Sequence, residues 1–530
     1  MVDVLVVGAG PVGLTMAAEL ARHGVQCRIV DQLEKPSPYC RAIGVTPRTL
    51  EVWDDMGIAR EMIDAGLWID GLRLIVHGRP PDDTHHDLSD LPYSQLGLPQ
   101  YETERLLTRH LGRLGIAVDR GTGLHSLQHG DKGVSARLER SDGSTEDAAF
   151  RYVIGCDGAH STVRHALGIA FEGEAIPMSF MLGDVHIDWD LPRGRALRAW
   201  RLVENSVPDM IVAVPLPEPG RYRVAMNAPA GLTQNGGSGH GIQSEVHGPA
   251  LGEIQAVADS LIPDKPRLSD LRWSSMFRIS MRLATHYRRG RVFLAGDAAH
   301  IHPPTGGQGM NTGIQDAYNL AWKLALVLGG TASEELLDSY EAERRPVGAD
   351  VVARTRAANE GHGRESKPDR LADTQVRVSY NRTAWVRDDA GPVDDGPVDA
   401  GPVAGDRAPD VTGLRRRGIG FPVRLFDILR GTEHVLLVRA GHEEAPELAA
   451  FARKIPSRSG MPLRIVGIVQ EEGVDDQAGI ALYRDAENAF ARTYGSAAAA
   501  FLIRPDGYIG WRGKSYRDAG LVTYVDRVVG

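Results

Sequence analysis

Cysteine is scarce in this chain. Only Cys27, Cys40 and Cys156 occur among 530 residues, and no two have the spacing of a zinc site or a redox couple. That excludes a disulfide framework and predicts a reduced, cytoplasmic protein without a bound metal. No run of about 18 apolar residues occurs, so no membrane-spanning helix is expected. The apolar stretch from Leu320 to Leu328 is broken by Lys323 and reads as a buried helix. The chain enters a strand by Val2, with no charged leader or cleavage site, which predicts no export signal. Positive charge is not in excess. The net charge of −9 is spread along the sequence and argues against a nucleic-acid partner, which would usually need a basic face. The remaining composition is that of a globular protein with room for three to four domains of ~150 residues.

Glycine is plentiful where it counts. Residues 2 to 7, VDVLVV, are apolar and rich in β-branched side chains, and they read as a buried parallel strand. Gly8-Ala9-Gly10-Pro11-Val12-Gly13 follows, and Leu14 to His23 forms an amphipathic helix stopped by Gly24. Cys27 to Val30 is the next strand, ending at Asp31. This β-α-β order implies a doubly wound α/β sheet. The glycines let backbone approach a pyrophosphate at the helix N-terminus, and Asp31 is placed to accept hydrogen bonds from an adenosine ribose. The second glycine cluster, Gly237 to Gly241, lacks the flanking strand and helix and reads as part of a loop spanning 229 to 248.

Two more segments complete the nucleotide site. Asp157-Gly158 follows the apolar strand Tyr152 to Ile154, with Ser161 and Arg164 behind it. Asp297 follows the strand Val292 to Ala295, and Gly306-Gly307-Gln308-Gly309-Met310-Asn311 leads into a helix expected to begin near Asn311 or Thr312. Between them the texture changes. Strand patterns over 180–187, 197–203, 210–215, 221–227 and 271–279, interrupted by a helix over 250–261, predict an inserted, mostly antiparallel sheet. The segment 391–405 repeats Gly-Pro-Val three times and reads as a linker. The boundaries are then a discontinuous nucleotide-binding domain over 1–170 and 283–390, a substrate-binding β-sheet domain over 171–282, the linker, and a third compact unit over 406–530.

The segments YVIGCDGAHSTVR and GRVFLAGDAAHIHPPTGGQGMNTG resemble the DG and GD motifs of the class A flavin monooxygenases, the para-hydroxybenzoate hydroxylase family. The resemblance implies a Rossmann-type FAD-binding domain. In that family the GD aspartate, here Asp297, binds the flavin ribityl chain. Arg41 in CRAIGVTPRTLE and Gln100 in LPQYETERLL are placed near FAD in relatives. The expected FAD contacts are thus Gly8, Gly10, Pro11, Val12, Gly13, Asp31, Arg41, Gln100, Asp157, Asp297, Gly309, Met310 and Asn311. Pro303, Pro304 and Gly306 are expected to wall the reactive edge of the flavin with backbone rather than to act as acid or base. His300 and His302 read as locally bonded packing residues. His186, Trp200, Met210, Arg223, Trp273 and Phe277 are the substrate-facing candidates, with the strand face left open by the sequence.

The third unit resembles the thioredoxin-like domain of aromatic polyketide and phenol hydroxylases. Its entry is Gly405-Asp406-Arg407-Ala408-Pro409-Asp410 and its closing hairpin is FLIRPDGYIGWRG. It has no cysteine, so redox exchange is excluded there. The resemblance implies a monooxygenase that uses NADPH or NADH as transient reductant and molecular oxygen as co-substrate. It would hydroxylate an aromatic, polyketide-type ring through a flavin C4a-hydroperoxide, as a monomer or homodimer. Small-phenol hydroxylation and inactivation of a rifamycin-type antibiotic are alternatives, as is a flavoprotein that sequesters its ligand without turnover.

Overall fold

The computed structural model describes residues 2–37, 42–130, 133–201, 209–228, 248–303, 305–359, 369–391, 401–441, 444–452, 460–471, 476, 480–495 and 498–530. Arg41, Pro304, the glycine cluster 237–241 and most of the Gly-Pro-Val repeat lie outside them. Among the described residues, no helix is long and apolar enough to cross a membrane.

Val4–Val7 is buried along its whole length and is central to a six-stranded sheet. It pairs in parallel with Cys27–Asp31 on one side and Tyr152–Gly155 on the other. Val118–Arg120 and Val292–Leu294 extend the parallel sheet outward, and the short Arg288–Arg289 closes one edge antiparallel. Buried on both faces, such strands carry continuous apolar runs rather than an alternation. The helix Pro11–Arg22 starts with proline at its first position, where a missing N–H costs nothing. It packs against the long helix Gln308–Leu328. The three sequence segments that carry the motifs therefore end at neighbouring strands of one sheet.

The second sheet has eight strands in the order 300–301, 267–284, 171–188, 221–227, 209–215, 195–201, 71–76 and 82–85. Its spine is the antiparallel pair Phe171–Asp188 and Arg267–Ala284. Two of its strands, Gly71–Val76 and Asp82–His85, come from the segment assigned to the nucleotide-binding domain by texture; Gly71–Val76 pairs in parallel with Arg195–Arg201. Strands brought together from distant segments leave no local mark, so a boundary at residue 170 misses them. Period-2 alternation then settles the two faces. Met181, Val185, Leu197, Ala199, Ile211, Ala213, Val224 and Met226 pack with the helix Leu251–Leu261. The alternate residues turn to the other face.

The C-terminal unit is a seven-stranded mixed sheet in the order 387–388, 509–513, 500–503, 434–439, 463–469, 481–485 and 414–415. Arg387–Asp388, before the linker, belongs to this sheet. Arg512 donates to Asp388 at 2.6 Å and to the carbonyls of Gly391 and Pro402, pinning both described ends of the linker. This unit is not a loose appendage. Leu436, Leu502 and Trp511 belong to the same apolar core as Val4–Val7 and Leu320.

Candidate active site

The phosphate turn is built by close backbone approach. Gly8 has φ +99°, and a side-chain carbon at Gly13 would run into the Gly8 carbonyl. Gly10 faces open space instead. No side chain caps the helix Pro11–Arg22, so its first N–H groups are turned toward that space. Asp31 is fixed beside the turn, where Oδ2 accepts from the Ala9 N–H at 2.7 Å and Oδ1 from the Leu33 N–H at 2.8 Å. The Val12 side chain packs beneath Gly296 and Gly313, joining the phosphate turn to the GD loop.

The DG segment meets the same turn. A carbon on Gly8 would clash with the Cys156 carbonyl, the residue before Asp157. Asp157 Oδ2 accepts from the Val163 N–H at 3.1 Å, while its Oδ1 is buried without a hydrogen-bond partner. Burial pushes the Asp157 carboxyl above its usual range, against hydrogen bonds from Ser161 and the Val163 amide. Ser161 caps the short helix Thr162–Ala166, and Arg164 crosses to the Ala298 carbonyl at 3.0 Å. The DG and GD motifs are thereby tied to one another.

In the GD loop Asp297 is exposed between buried Gly296 and Ala298. The loop is held from behind by Asp316. Its Oδ2 accepts from the Gly296 N–H at 3.1 Å and bonds His300 Nε2 at 2.7 Å, and its Oδ1 accepts from Arg344 Nε at 2.7 Å. Burial alone would raise this carboxyl, but Arg344 and His300 outweigh it and hold it below the usual carboxylate range.

The long helix begins at Gln308, three residues before the position expected from sequence, after a turn in which Gly306 and Gly307 take φ of +72° and +65°. The N–H groups presented at its start are therefore those of Gln308, Gly309 and Met310. The Asn311 side chain is turned into the framework. It donates to the carbonyls of Gly44 at 2.8 Å and Gly307 at 2.6 Å and accepts from the Thr46 N–H at 3.0 Å. Gln100 accepts from the Ala42 N–H at 3.1 Å. His302 Nδ1 bonds the Pro303 carbonyl at 2.9 Å, and its Nε2 is buried beside Gly309. Burial holds its pKa down to about 4, so this ring is neutral at pH 7.

The substrate-facing candidates fall on one face of the eight-stranded sheet. Trp200 lies opposite Met210, Arg223 and Trp273 both flank Asp184, and Phe277 lies opposite Phe180, all on the side away from the helix Leu251–Leu261. The Phe180 and Phe277 rings are 5.6 Å apart. Arg223 donates to Asp184 at 2.6 Å and rests 4.5 Å over the Trp273 ring, whose Nε1 donates to the same carboxylate at 2.8 Å. His186 lies on this face at the rim, against the Gly220 turn. Trp273 and Val214 pack with Ile43, and Gly44 next to it abuts Gly307. This face therefore looks toward the start of the long helix.

Sequence reading missed the residues that hold the site from behind. Asp373 takes the Gln308 amide at 2.6 Å beside Gly306, and Gln375 bonds Gln315 at 2.7 Å and Thr312 at 2.9 Å. Asp316 and Arg344 carry the one available signal: charged residues inside otherwise apolar helical patterns, which need buried partners.

These residues fit FAD. The open space at Gly10, the unpartnered buried Asp157 oxygen and the exposed Asp297 lie around one turn-and-helix cradle.

Comparison with known proteins agrees. Residues 1–355 match the family described as FAD binding domain, and residues 401–530 match the aromatic-ring hydroxylase C-terminal domain. A 6-methylpretetramide 4-monooxygenase of Streptomyces rimosus is 39% identical, over 67% of this chain and 61% of its own length. The pentachlorophenol 4-monooxygenase of Sphingobium chlorophenolicum is 34% identical over 99% of this chain and 96% of its own. The structure of aklavinone-11 hydroxylase with FAD and aklavinone superposes with a TM-score of 0.78, at 29% identity, covering 100% of this chain and 99% of that one.

Proposed function

Because the chain belongs to the FAD-dependent aromatic-ring hydroxylases of the class A flavin monooxygenases, we propose that it hydroxylates a polycyclic aromatic substrate of polyketide type at the expense of NADPH or NADH. The observation that carries this reading is the sheet face bearing Trp200, Met210, Trp273 and Phe277. It spans several strands, sets flat and flexible apolar side chains around the Arg223–Asp184 pair, and meets the cofactor motifs through Ile43 and Gly44. A broad face of this kind, mostly apolar with a few fixed polar groups, suits a fused-ring substrate better than a single phenol ring.

When bound, reduced FAD would supply the activation of molecular oxygen and its delivery to the ring. The protein holds the parts in place. Gly8, Gly10, Pro11, Val12 and Gly13 would hold the pyrophosphate, Asp31 the adenosine ribose, and Asp157 and Asp297 the chain that joins it to the ring system. The free N–H groups of Gln308, Gly309 and Met310 would offer a helix N-terminus to the negative charge of the reduced flavin. Asn311 acts one step back, locking Gly307 to Gly44. Pro303 and Gly306 would wall the reacting edge with backbone and keep water from it. Arg41, Gln100 and Pro304 belong to the same proposal. Arg223, neutralised by Asp184, shapes the pocket rather than moving protons. The sheet face belongs to a substrate domain centred on 171–282, augmented by 71–76 and 82–85; the rest of 1–170 and 283–390, apart from the strand Arg387–Asp388 of the C-terminal sheet, supplies the flavin side.

The test is a substrate panel. Fused-ring aromatic polyketides should accelerate NADPH oxidation and gain one oxygen by mass. Turnover restricted to single-ring phenols would replace this reading with small-phenol hydroxylation.

A further inference from the structure

The hairpin turn Arg504-Pro505-Asp506-Gly507 belongs to the C-terminal unit, yet it is buried in the flavin-binding part of the molecule. Arg504 is 3% exposed and Asp506 1%. Arg504 donates to both oxygens of Glu343, at 2.6 and 3.0 Å, and to Asp506 at 2.5 and 3.0 Å. Glu343 also takes Lys323 Nζ at 2.7 Å and the Asn319 amide at 2.8 Å. Asn319 bonds Asp506 at 3.1 Å, and Tyr318 donates to the Pro505 carbonyl at 3.1 Å. Tyr318, Asn319 and Lys323 all lie on Gln308–Leu328, the helix whose first turn faces the flavin site.

Glu343 and Arg344 are sequence neighbours on the helix Asp338–Asn359 and turn in different directions, about 100° apart around its axis. Glu343 takes the C-terminal unit. Arg344 takes Asp316 and the Thr312 carbonyl at 3.1 Å, and Asp316 holds Gly296 and His300. Every side chain from Arg504 to Asp316 is almost without solvent contact. A buried ion pair of this kind adds little net stability over an apolar replacement, but it permits few alternative geometries.

We propose that Arg504 is a positioning residue for FAD, acting through the Glu343–Arg344 step on Asp316 and so on the GD loop and the long helix. The cysteine-free C-terminal unit then has a role in the flavin site that needs no redox chemistry of its own. Removing Arg504 leaves Glu343 to recentre on Lys323. Arg344 moves with it, and the Gly296 turn loses its fixed position.

The proposal rests on the FAD reading, and the experiment separates the two. Full-length wild type, Arg504→Met, Arg504→Lys and Glu343→Gln are compared for FAD dissociation constant by fluorescence titration and for flavin midpoint potential. Arg424→Met, which removes a contact of the C-terminal unit to Asp54 and leaves the Glu343 ion pair untouched, is the control. Arg504→Met and Glu343→Gln should weaken FAD binding on the order of tenfold and shift the potential, Arg504→Lys should recover part of both, and Arg424→Met should change neither. For variants that do not fold, hydrogen exchange on the wild type decides: FAD added to the apoprotein should increase amide protection in residues 500–510. Equal dissociation constants and potentials in all folded variants, or unchanged protection in that hairpin, overturn the relay. A wild type that takes up no FAD overturns the underlying reading instead.

Discussion

His300 and Asp316 are joined at 2.7 Å with neither side chain exposed to solvent, and the same carboxylate oxygen receives the Gly296 N–H. The GD loop is thus set by a residue one strand-turn-helix step after it. Asp316→Ala removes the partner of the fully buried Arg344 as well. The expected cost is about 3–5 kcal/mol of folding stability, with loss of retained FAD. Urea unfolding and the ratio of flavin to protein absorbance measure the two effects.

The glycines of the phosphate turn should separate fold from cofactor. At Gly13 an added methyl meets the Gly8 carbonyl, so Gly13→Ala should fail to accumulate as folded protein. At Gly10 the methyl enters open space at a backbone φ of −75° that alanine accepts. Gly10→Ala should match the wild-type apoprotein in melting temperature while binding FAD at least about tenfold more weakly, because the methyl occupies the ligand's volume. Thermal melts with and without added FAD check this.

The Asp184–Arg223 pair is buried on both sides, each side chain 4% exposed. Asp184→Asn leaves a cation without its counter-charge and should cost about 3–5 kcal/mol, whereas Asp184→Leu with Arg223→Met should restore most of it. A double-mutant cycle by chemical denaturation gives the coupling. If Arg223 shapes the pocket, the double variant raises KM for the aromatic substrate more than it lowers kcat.

His434 introduces a pH dependence. Burial, reinforced by the Arg504 charge, pushes its pKa down to about 3, and its ring stands edge-on to Trp322 at 5.3 Å. The folded state keeps it neutral while the unfolded chain protonates near its ordinary value of about 6.5. Its contribution is therefore fully present above about pH 6.5 and is lost as pH falls from there toward 3. Each pH unit in that window costs up to about 1.4 kcal/mol. Melting temperature against pH should fall less steeply for His434→Gln than for wild type below pH 6.

Much of the framework of the candidate cofactor site is legible because it is local. Val4–Val7, the Gly8–Gly13 turn, Asp31, Asp157 and Asp297 are each marked by a short strand followed by glycine or acid, and the structure brings them to one sheet end. The long helix, expected to begin near Asn311 or Thr312, begins at Gln308, because Gly309 lies inside it and only Gly306 and Gly307 form the left-handed entry. The substrate face needed the register of five strands, which no single strand contains. Gly71–Val76 joining that sheet, and Arg504 reaching Glu343 across 161 residues, are long-range pairings with no local signature.

The most direct measurement is on purified full-length protein supplied with FAD. It should be yellow, and NADPH oxidation with oxygen uptake should accelerate on addition of a fused-ring aromatic substrate, yielding a product heavier by one oxygen atom. A colourless protein that cannot be reconstituted with FAD, or a flavoprotein that binds the aromatic compound tightly but is not reduced by NADPH in the absence of oxygen, would contradict the assignment.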